Sequence, residues 1–149
     1  MTEPSPPHHS PLDEADLPAL RLSAVTLLAV FLGGAFGSTG RYLLGAWFPT
    51  TPGHFPWVTL GINLSGSLLI GLLIPLTEHM APRLPQLRPL VIIGVLGGWT
   101  TYSTLAVDGV QLSLHHHAGL VVGYLAATVF VGIGVVIVGN LLGQRLVRP

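Results

Sequence analysis

A run of hydroxyl side chains beside two glycines is the part of this sequence with the clearest capacity for chemistry. Residues 97–104 read Gly-Gly-Trp-Thr-Thr-Tyr-Ser-Thr and lie within an otherwise apolar segment. A glycine pair weakens a helix, and in a membrane a helix break is tolerated only where it is buried in protein or lines a wet cavity. Such a break frees carbonyls for a cation and hydroxyls for an anion. The run therefore predicts an ion site, although a plain helix with hydroxyls bonded to its own carbonyls is the alternative.

Four other groups of polar residues could take part in chemistry. Asn63 stands alone among apolar neighbours, where an amide more often bonds another helix than a ligand. Arg41 follows a long uncharged stretch, and its burial would be costly enough to mark a paired or functional site. The run 115–117 contains three histidines that could serve a metalloenzyme. Consecutive histidines point in different directions, and no paired carboxylates accompany them. We therefore interpret this run as a solvated loop and expect that the protein is not an enzyme. The same holds for a metal at His8 and His9, which have no further ligands nearby.

The elements that must position these residues are four long apolar stretches. Half of the residues are hydrophobic and 8% are charged, whereas soluble domains carry about 25% charged residues. A membrane-crossing helix needs roughly 20 apolar residues, which predicts spans at residues 22–47, 55–77, 89–112 and 118–144. We expect an all-α integral membrane domain at 21–149 with a broken third helix. Residues 1–20 are rich in proline and acids and predict a disordered tail.

Competing classes are disfavoured by composition. A soluble bundle of four buried helices would need polar outer faces, which these stretches lack. The sequence has no cysteine, which excludes disulfides, thiolate metal sites and thiol nucleophiles. A net charge of zero argues against a nucleic-acid partner.

Arginine placement predicts the orientation in the membrane. Four spans put both termini and the connector at 78–88 on one side, which then carries five arginines: Arg21, Arg83, Arg88, Arg145 and Arg148. The only other arginine, Arg41, lies within the first span. The positive-inside rule then predicts a multi-pass protein of the cell inner membrane or plasma membrane with cytoplasmic termini.

Small residues predict close helix packing. Gly33, Gly37 and Gly40 form a row in the first span, and the pairs Gly119/Gly123 and Gly139/Gly143 repeat the four-residue spacing in the fourth. Such rows let backbones approach where lipid offers no hydrophobic drive.

These features occur together in one known pattern. The segments 33–42 (GGAFGSTGRY), 61–67 (GINLSGS) and 94–105 (GVLGGWTTYSTL) resemble the Fluc (CrcB) family of fluoride channels, over about residues 22–144. The resemblance implies a subunit of four helices that forms an antiparallel, inverted dimer and lets fluoride leave the cytoplasm passively, which reduces its toxicity. The third-span breaks would cross at the dimer centre and hold a structural sodium ion through backbone carbonyls.

Matching the motifs residue by residue assigns roles to positions of this sequence. The carbonyls of Gly97 and Thr100 would hold the sodium, Asn63 would line the pore, and Arg41 matches the first-span arginine. The resemblance also places hydroxyls along the anion path, and the fourth-span polar track matches Tyr124 and Thr128. Neutral donors suit a small, strongly hydrated anion because fixed charges would hold it too tightly. The implied anion path therefore comprises Asn63, Tyr102, Ser103, Thr104, Leu105, Tyr124 and Thr128.

Two positions depart from the family pattern. The usual ending, Thr-Thr-Phe-Ser-Thr-Phe, has two phenylalanines where this sequence has Tyr102 and Leu105. Tyrosine keeps a ring edge with partial positive charge, and leucine loses it. The resemblance implies two anion sites, so either one of them is impaired by the loss of the phenylalanine, or a partner subunit supplies the missing aromatic ring. The five-to-one arginine bias favours a fixed orientation, and hence a heterodimer with an inverted paralogue as the alternative to a homodimer.

A small multidrug or guanidinium exporter is the alternative function. Such exporters also have four spans in antiparallel pairs, but they need a membrane-embedded carboxylate for proton coupling. The only acid near a span is Asp108, late in the third. We therefore expect a channel.

Overall fold

The computed structural model describes residues 23–148, and all its regular structure is helical. It has four helices that are long and apolar enough to cross a membrane, Ala24–Trp47, Trp57–Met80, Pro89–Leu114 and Ala118–Val147. This confirms the all-α membrane fold. The predicted disordered tail at 1–20, His8, His9 and Arg21 lie outside the described residues.

The ends of the spans follow local chemistry. The first helix, α1 (Ala24–Trp47), begins after Ser23, whose Oγ accepts a hydrogen bond from the Thr26 N–H at 3.1 Å. The second, α2 (Trp57–Met80), begins after Pro56 and continues past Pro75. It ends at Met80, three residues beyond the predicted end at residue 77. The last, α5 (Ala118–Val147), likewise extends past residue 144. The described helix ends lie within about three residues of the predicted span ends.

The third span is broken at a different place from the one that its glycines suggest. Its first half, α3 (residues 89–99), is helical through Gly97 and Gly98 and starts with a wider π-helical winding over Pro89–Leu96. Thr100 is extended, with ψ 155°, and the second half, α4, begins at Ser103 and ends at Leu114. The break is thus confined to 100–102 rather than spread over 97–104.

The glycines serve close packing instead of breaking the helix. A Cβ at Gly98 would lie 2.6 Å from the Gly34 carbonyl oxygen and 2.9 Å from the Ser38 nitrogen. A Cβ at Gly33 or Gly37 would collide with the backbone of α3. The predicted small-residue row of the first span therefore forms the contact between α1 and α3.

A second pair of helices, α2 and α5, packs in the same way. A Cβ at Gly71 would collide with the Val136 carbonyl oxygen, and one at Gly139 or Gly143 with carbonyl oxygens of α2. The pair Gly119/Gly123 behaves differently, because nothing in the described chain lies within 4 Å of a Cβ at either position. The packing predicted there is absent within the described subunit.

The outer surface of the subunit is apolar. Large side chains such as Phe31, Phe36, Phe130 and Ile133 are more than half exposed. Trp47, Phe48 and Trp57 are also exposed, at one end of the bundle around the connector between α1 and α2. Amphipathic aromatics favour the headgroup region, so this ring marks one membrane interface.

Candidate functional site

The break in the third span is held by a side chain from the neighbouring span. The amide of Asn63 bonds the backbone of Thr101 in both directions: Asn63 Nδ2 donates to the Thr101 carbonyl oxygen at 3.0 Å, and Thr101 N donates to Asn63 Oδ1 at 2.8 Å. The side chain therefore pairs with Thr101 as a backbone peptide would. The interhelical bond that is usual for a buried amide is present at Asn63.

The hydroxyl of Thr101 starts the helix that follows the break. Thr101 Oγ1 accepts a hydrogen bond from the Thr104 N–H at 3.1 Å and donates to Thr104 Oγ1, also at 3.1 Å. This is an N-capping arrangement, which satisfies one of the N–H groups that a helix start leaves without a partner. Ser103 Oγ lies 3.2 Å from the same Thr101 hydroxyl.

These two interactions change the bonding of two carbonyls. In a continuous helix each N–H donates to the carbonyl four residues earlier. Gly97 would receive the Thr101 N–H, which bonds Asn63 instead, and Thr100 would receive the Thr104 N–H, which bonds Thr101 Oγ1. The carbonyls predicted to hold sodium are thus among those whose helical donors bond elsewhere. Gly97 is also exposed on the subunit surface, with only the Ile92 oxygen, at 3.9 Å, near a Cβ placed there.

Arg41 stabilises the end of α3. Its Nε donates to the Gly98 carbonyl oxygen at 3.0 Å, and the side chain is half-buried. A helix C-terminus carries partial negative charge, so a cation there is favourable. Arg41 is therefore paired, as the cost of its burial predicts, with a backbone carbonyl rather than with an acid.

Trp99 joins α3 to α2 just before the break. Its indole Nε1 donates to the Ile62 carbonyl oxygen at 3.1 Å and to Ser65 Oγ at 3.0 Å. Its ring lies 3.2 Å from the place where a Cβ on Gly40 would stand. At Gly66 a Cβ would collide with the Thr100 side chain. Trp99 and these glycines fix where the chain leaves the helix.

A groove runs along the break on the surface of the subunit. This third-span groove has a volume of about 310 Å³. Four residues of the predicted anion path line it: Asn63, Tyr102, Leu105 and Thr128. The remaining walls come from Ser67, Ile70, Thr100 and Thr101.

A second cavity lies between α1, α2 and α4. This vestibule has a volume of about 460 Å³ and includes Arg41, Thr59, Thr104 and Asp108. Thr101 lines both the vestibule and the third-span groove. The two spaces are therefore adjacent, and Thr101 separates them.

The side chains predicted for the anion path differ in their surroundings. Tyr102 is 83% exposed, whereas Leu105 is buried against Leu60, Leu112 and Tyr124. Tyr124 is fully buried and lines neither space. Its hydroxyl donates to Asp108 Oδ2 at 3.3 Å.

Three other hydroxyl residues of the predicted path differ in whether they line the groove or the vestibule. Thr128 Oγ1 donates to the Tyr124 carbonyl oxygen at 2.9 Å, although the residue still lines the groove. Ser103 is exposed and lines neither the groove nor the vestibule, while Thr104 faces the vestibule. The structure therefore separates Tyr124 and Ser103 from the residues that line these two spaces.

The role of Thr101 was not predicted from the sequence. It lies within the hydroxyl run, but the motif match gave it no function. One signal was available: a threonine just ahead of an apolar helical stretch is a candidate N-cap. The pairing of Thr101 with Asn63 joins residues 38 positions apart and has no local signature.

The histidine connector contains local interactions of its own. His115 Nδ1 lies 2.8 Å from the Gln111 carbonyl oxygen, and its ring packs on Gly53, where φ is +79°. Within residues 23–148, no group of three or more His, Cys, Asp or Glu side chains is placed to hold a metal ion.

Comparison with known proteins identifies the same region. A family model described as CrcB-like protein, Camphor Resistance (CrcB), matches residues 28–140. A protein of Agrobacterium fabrum named Fluoride-specific ion channel FluC is 40% identical over 123 residues, which cover 82% of this chain and 98% of the relative. FluC 2 of Nocardia farcinica is 40% identical over 120 residues, 80% and 85% of the two chains. FluC 1 of Nitrobacter hamburgensis is 42% identical over 115 residues, 76% and 90% of the two chains.

Proposed function

The chain belongs to the CrcB family, and from that membership we propose that it forms a fluoride-selective channel for passive efflux of fluoride from the cytoplasm. Its relatives are named as fluoride-specific ion channels, not as enzymes or exporters. Weak acid enters a cell as HF and dissociates at cytoplasmic pH, and the trapped anion leaves down its gradient through the channel. This efflux reduces fluoride toxicity.

The observation that carries the proposal is the meeting of two spaces at the break in the third span. The vestibule and the third-span groove share Thr101, and their walls offer neutral donors such as the Asn63 amide and the Thr104 hydroxyl. Fluoride is small and strongly hydrated, so a pore must replace the hydrogen bonds of water. Neutral, multiple sites do this while still allowing the ion to leave. The anion path then runs from the vestibule past Thr101 into the groove.

A second subunit completes this path. The groove is open on the subunit surface, and Tyr102 beside it is 83% exposed. An inverted partner would cover the groove and bring its own third-span break against this one. The diverted carbonyls of Gly97 and Thr100 suit a cation that prefers oxygen ligands. A sodium ion bound there would supply fixed positive charge between the subunits.

We infer the orientation of the subunit from the distribution of its arginines, and the kind of partner from the missing aromatic ring at Leu105. Arg83, Arg88, Arg145 and Arg148 lie at the end of the bundle that is away from the aromatic ring. This bias supports a fixed orientation with cytoplasmic termini. Because Leu105 provides no ring edge, an inverted paralogue that supplies one would restore a second anion site. We propose a heterodimer on this basis, with the homodimer as its alternative.

Fluoride efflux from liposomes tests the function directly. Purified protein, alone and with a candidate paralogue, is reconstituted in vesicles loaded with potassium fluoride, and external fluoride is recorded with an electrode after valinomycin is added. We expect release of fluoride, with chloride retained in matched vesicles. Absence of fluoride release in both preparations contradicts the channel.

The exporter alternative differs in its ion coupling. Its required carboxylate would be Asp108, which lines the vestibule and accepts the Tyr124 hydrogen bond. Guanidinium uptake driven by a proton gradient in the same vesicles would favour the exporter. Fluoride release that needs no proton gradient favours the channel.

A further inference from the structure

Side chains replace part of the helical hydrogen bonding around the break. The carbonyls of Gly97 and Thr100 have lost their helical donors to side chains. The carbonyl that follows each of them is bonded by a side chain: Gly98 by Arg41 and Thr101 by Asn63. Outside this stretch the helical pattern resumes, since Thr100 N donates to Leu96 O at 3.0 Å and Ala106 N to Tyr102 O at 2.9 Å. Between these two bonds, side-chain acceptors take up two of the N–H groups, those of Thr101 and Thr104.

We propose that Asn63 and Thr101 are positioning residues for the cation site. By occupying the N–H groups of Thr101 and Thr104, they keep the carbonyls of Gly97 and Thr100 available as ligands. The inference rests on the proposed sodium site and deepens it, because it names the side chains that maintain the site without touching the ion.

The physical reason is the cost of an unpaired N–H in a membrane. Without Asn63 Oδ1, the Thr101 N–H would need another acceptor, since an unsatisfied backbone group in lipid costs several kcal/mol. Its nearest alternative in sequence is the Gly97 carbonyl, by the ordinary helical bond. That bond would extend α3 and withdraw the carbonyl from the cation. The same argument applies to Thr101 Oγ1, the Thr104 N–H and the Thr100 carbonyl.

Asn63 also links the cation and the anion regions. One of its N–H groups bonds Thr101, and the side chain lines the third-span groove. A change at Asn63 therefore alters both fluoride passage and sodium binding.

Sodium-dependent stability of the purified dimer tests the proposal. Thermal unfolding in detergent is followed as sodium chloride replaces N-methyl-D-glucamine chloride at constant ionic strength, which gives the sodium concentration for half of the full stabilisation. For Asn63→Ala and Thr101→Val we expect this midpoint to rise about tenfold or more, equivalent to about 1.4 kcal/mol. Thr101→Ser keeps the hydroxyl and should retain the wild-type midpoint. Ser65→Ala, which removes a partner of Trp99 but frees neither N–H, is the matched control.

Three results overturn the inference. The first is an unfolding temperature lowered equally at every sodium concentration with an unchanged midpoint, which makes both residues structural only. The second is a rise of similar size in Ser65→Ala. The third is a wild-type protein indifferent to sodium, which also removes the sodium site. Fluoride release from liposomes then decides separately whether the channel itself stands.

A measurement on the unmodified chain covers variants that do not fold. Carbonyl carbon NMR shifts are compared in sodium and in N-methyl-D-glucamine. We expect the signals of Gly97 and Thr100 to move and those of Gly98 and Thr101, already bonded by side chains, to stay nearly fixed. Equal movement at all four carbonyls, or none at any, contradicts the proposal.

Discussion

Tyr102 and Leu105 replace two aromatic positions of the family pattern, and the structure gives them opposite surroundings. Tyr102 is 83% exposed, so its hydroxyl needs no partner within the described subunit. Leu105 is 9% exposed and packs with Leu60, Leu112 and Tyr124. The two departures therefore differ in consequence: one changes the exposed surface of the subunit, and the other changes its core.

Restoring the phenylalanines separates these consequences. We expect Tyr102→Phe to change the free energy of unfolding by less than about 0.5 kcal/mol, as surface substitutions do. Leu105→Phe adds volume to a packed cluster and should cost about 1–3 kcal/mol. Unfolding titrations with sodium dodecyl sulfate in mixed micelles measure both. A larger loss for Tyr102→Phe than for Leu105→Phe contradicts this assignment.

Arg41 provides a second test at the same scale. Its hydrogen bond to Gly98 involves a charged group in a half-buried place. Arg41→Gln should therefore cost about 1.5–3 kcal/mol, the range for hydrogen bonds to charged groups. The control is Arg83→Gln in an exposed connector, with an expected change below about 0.5 kcal/mol. Equal effects of the two substitutions on the unfolding titration would show that the Gly98 bond contributes nothing.

At the level of the helices, stability depends on where glycine meets backbone. Gly37 and Gly45 lie on the same helix, but a Cβ at Gly37 would collide with the Val95 carbonyl oxygen, while nothing lies within 4 Å of one at Gly45. The first helix therefore contains a glycine at a contact position and a glycine at an open position, which can be compared directly.

This contrast gives a matched pair of substitutions. Gly37→Ala should destabilise the protein by about 1–3 kcal/mol or more, because the α1 and α3 backbones must separate. Gly45→Ala should stabilise it by about 0.5–1 kcal/mol through helix propensity. The same unfolding titration measures both. Destabilisation by Gly45→Ala, or no effect of Gly37→Ala, would require a different pairing of helices.

The extent of prediction from sequence also differs by element. Mean hydropathy and span length located α1, α2 and α5, since membrane insertion depends on local composition. The break at 100–102 lies within the predicted run 97–104, but the glycines at 97–98 do not mark it, because the same residue type serves close packing and helix breaking. The bond between Asn63 and Thr101 and the burial of Tyr124 depend on contacts between distant residues. No local pattern carries that information.

At the scale of the whole molecule, labelling of introduced cysteines tests the orientation of the subunit in the membrane. The chain has no cysteine, so a single introduced thiol reports one position. In Thr51→Cys, in the connector between α1 and α2, we expect complete labelling by an impermeant maleimide from outside the cell. In Leu84→Cys, in the connector between α2 and α3, labelling should require permeabilised cells. Comparable labelling of each site from both sides would contradict a fixed orientation and favour a homodimer of inverted copies.

The pairing of helices has a consequence for biogenesis. Because α1 packs with α3 and α2 with α5, neither of the first two spans has its main partner when it leaves the ribosome. Arg41 and Asn63 then lie in lipid without the carbonyls of Gly98 and Thr101, which are synthesised later. Lone polar groups in a bilayer are costly, so the nascent chain should stay within the insertion machinery until the third span emerges. Release into the bilayer then depends on synthesis beyond residue 101, the point at which both polar side chains find their acceptors.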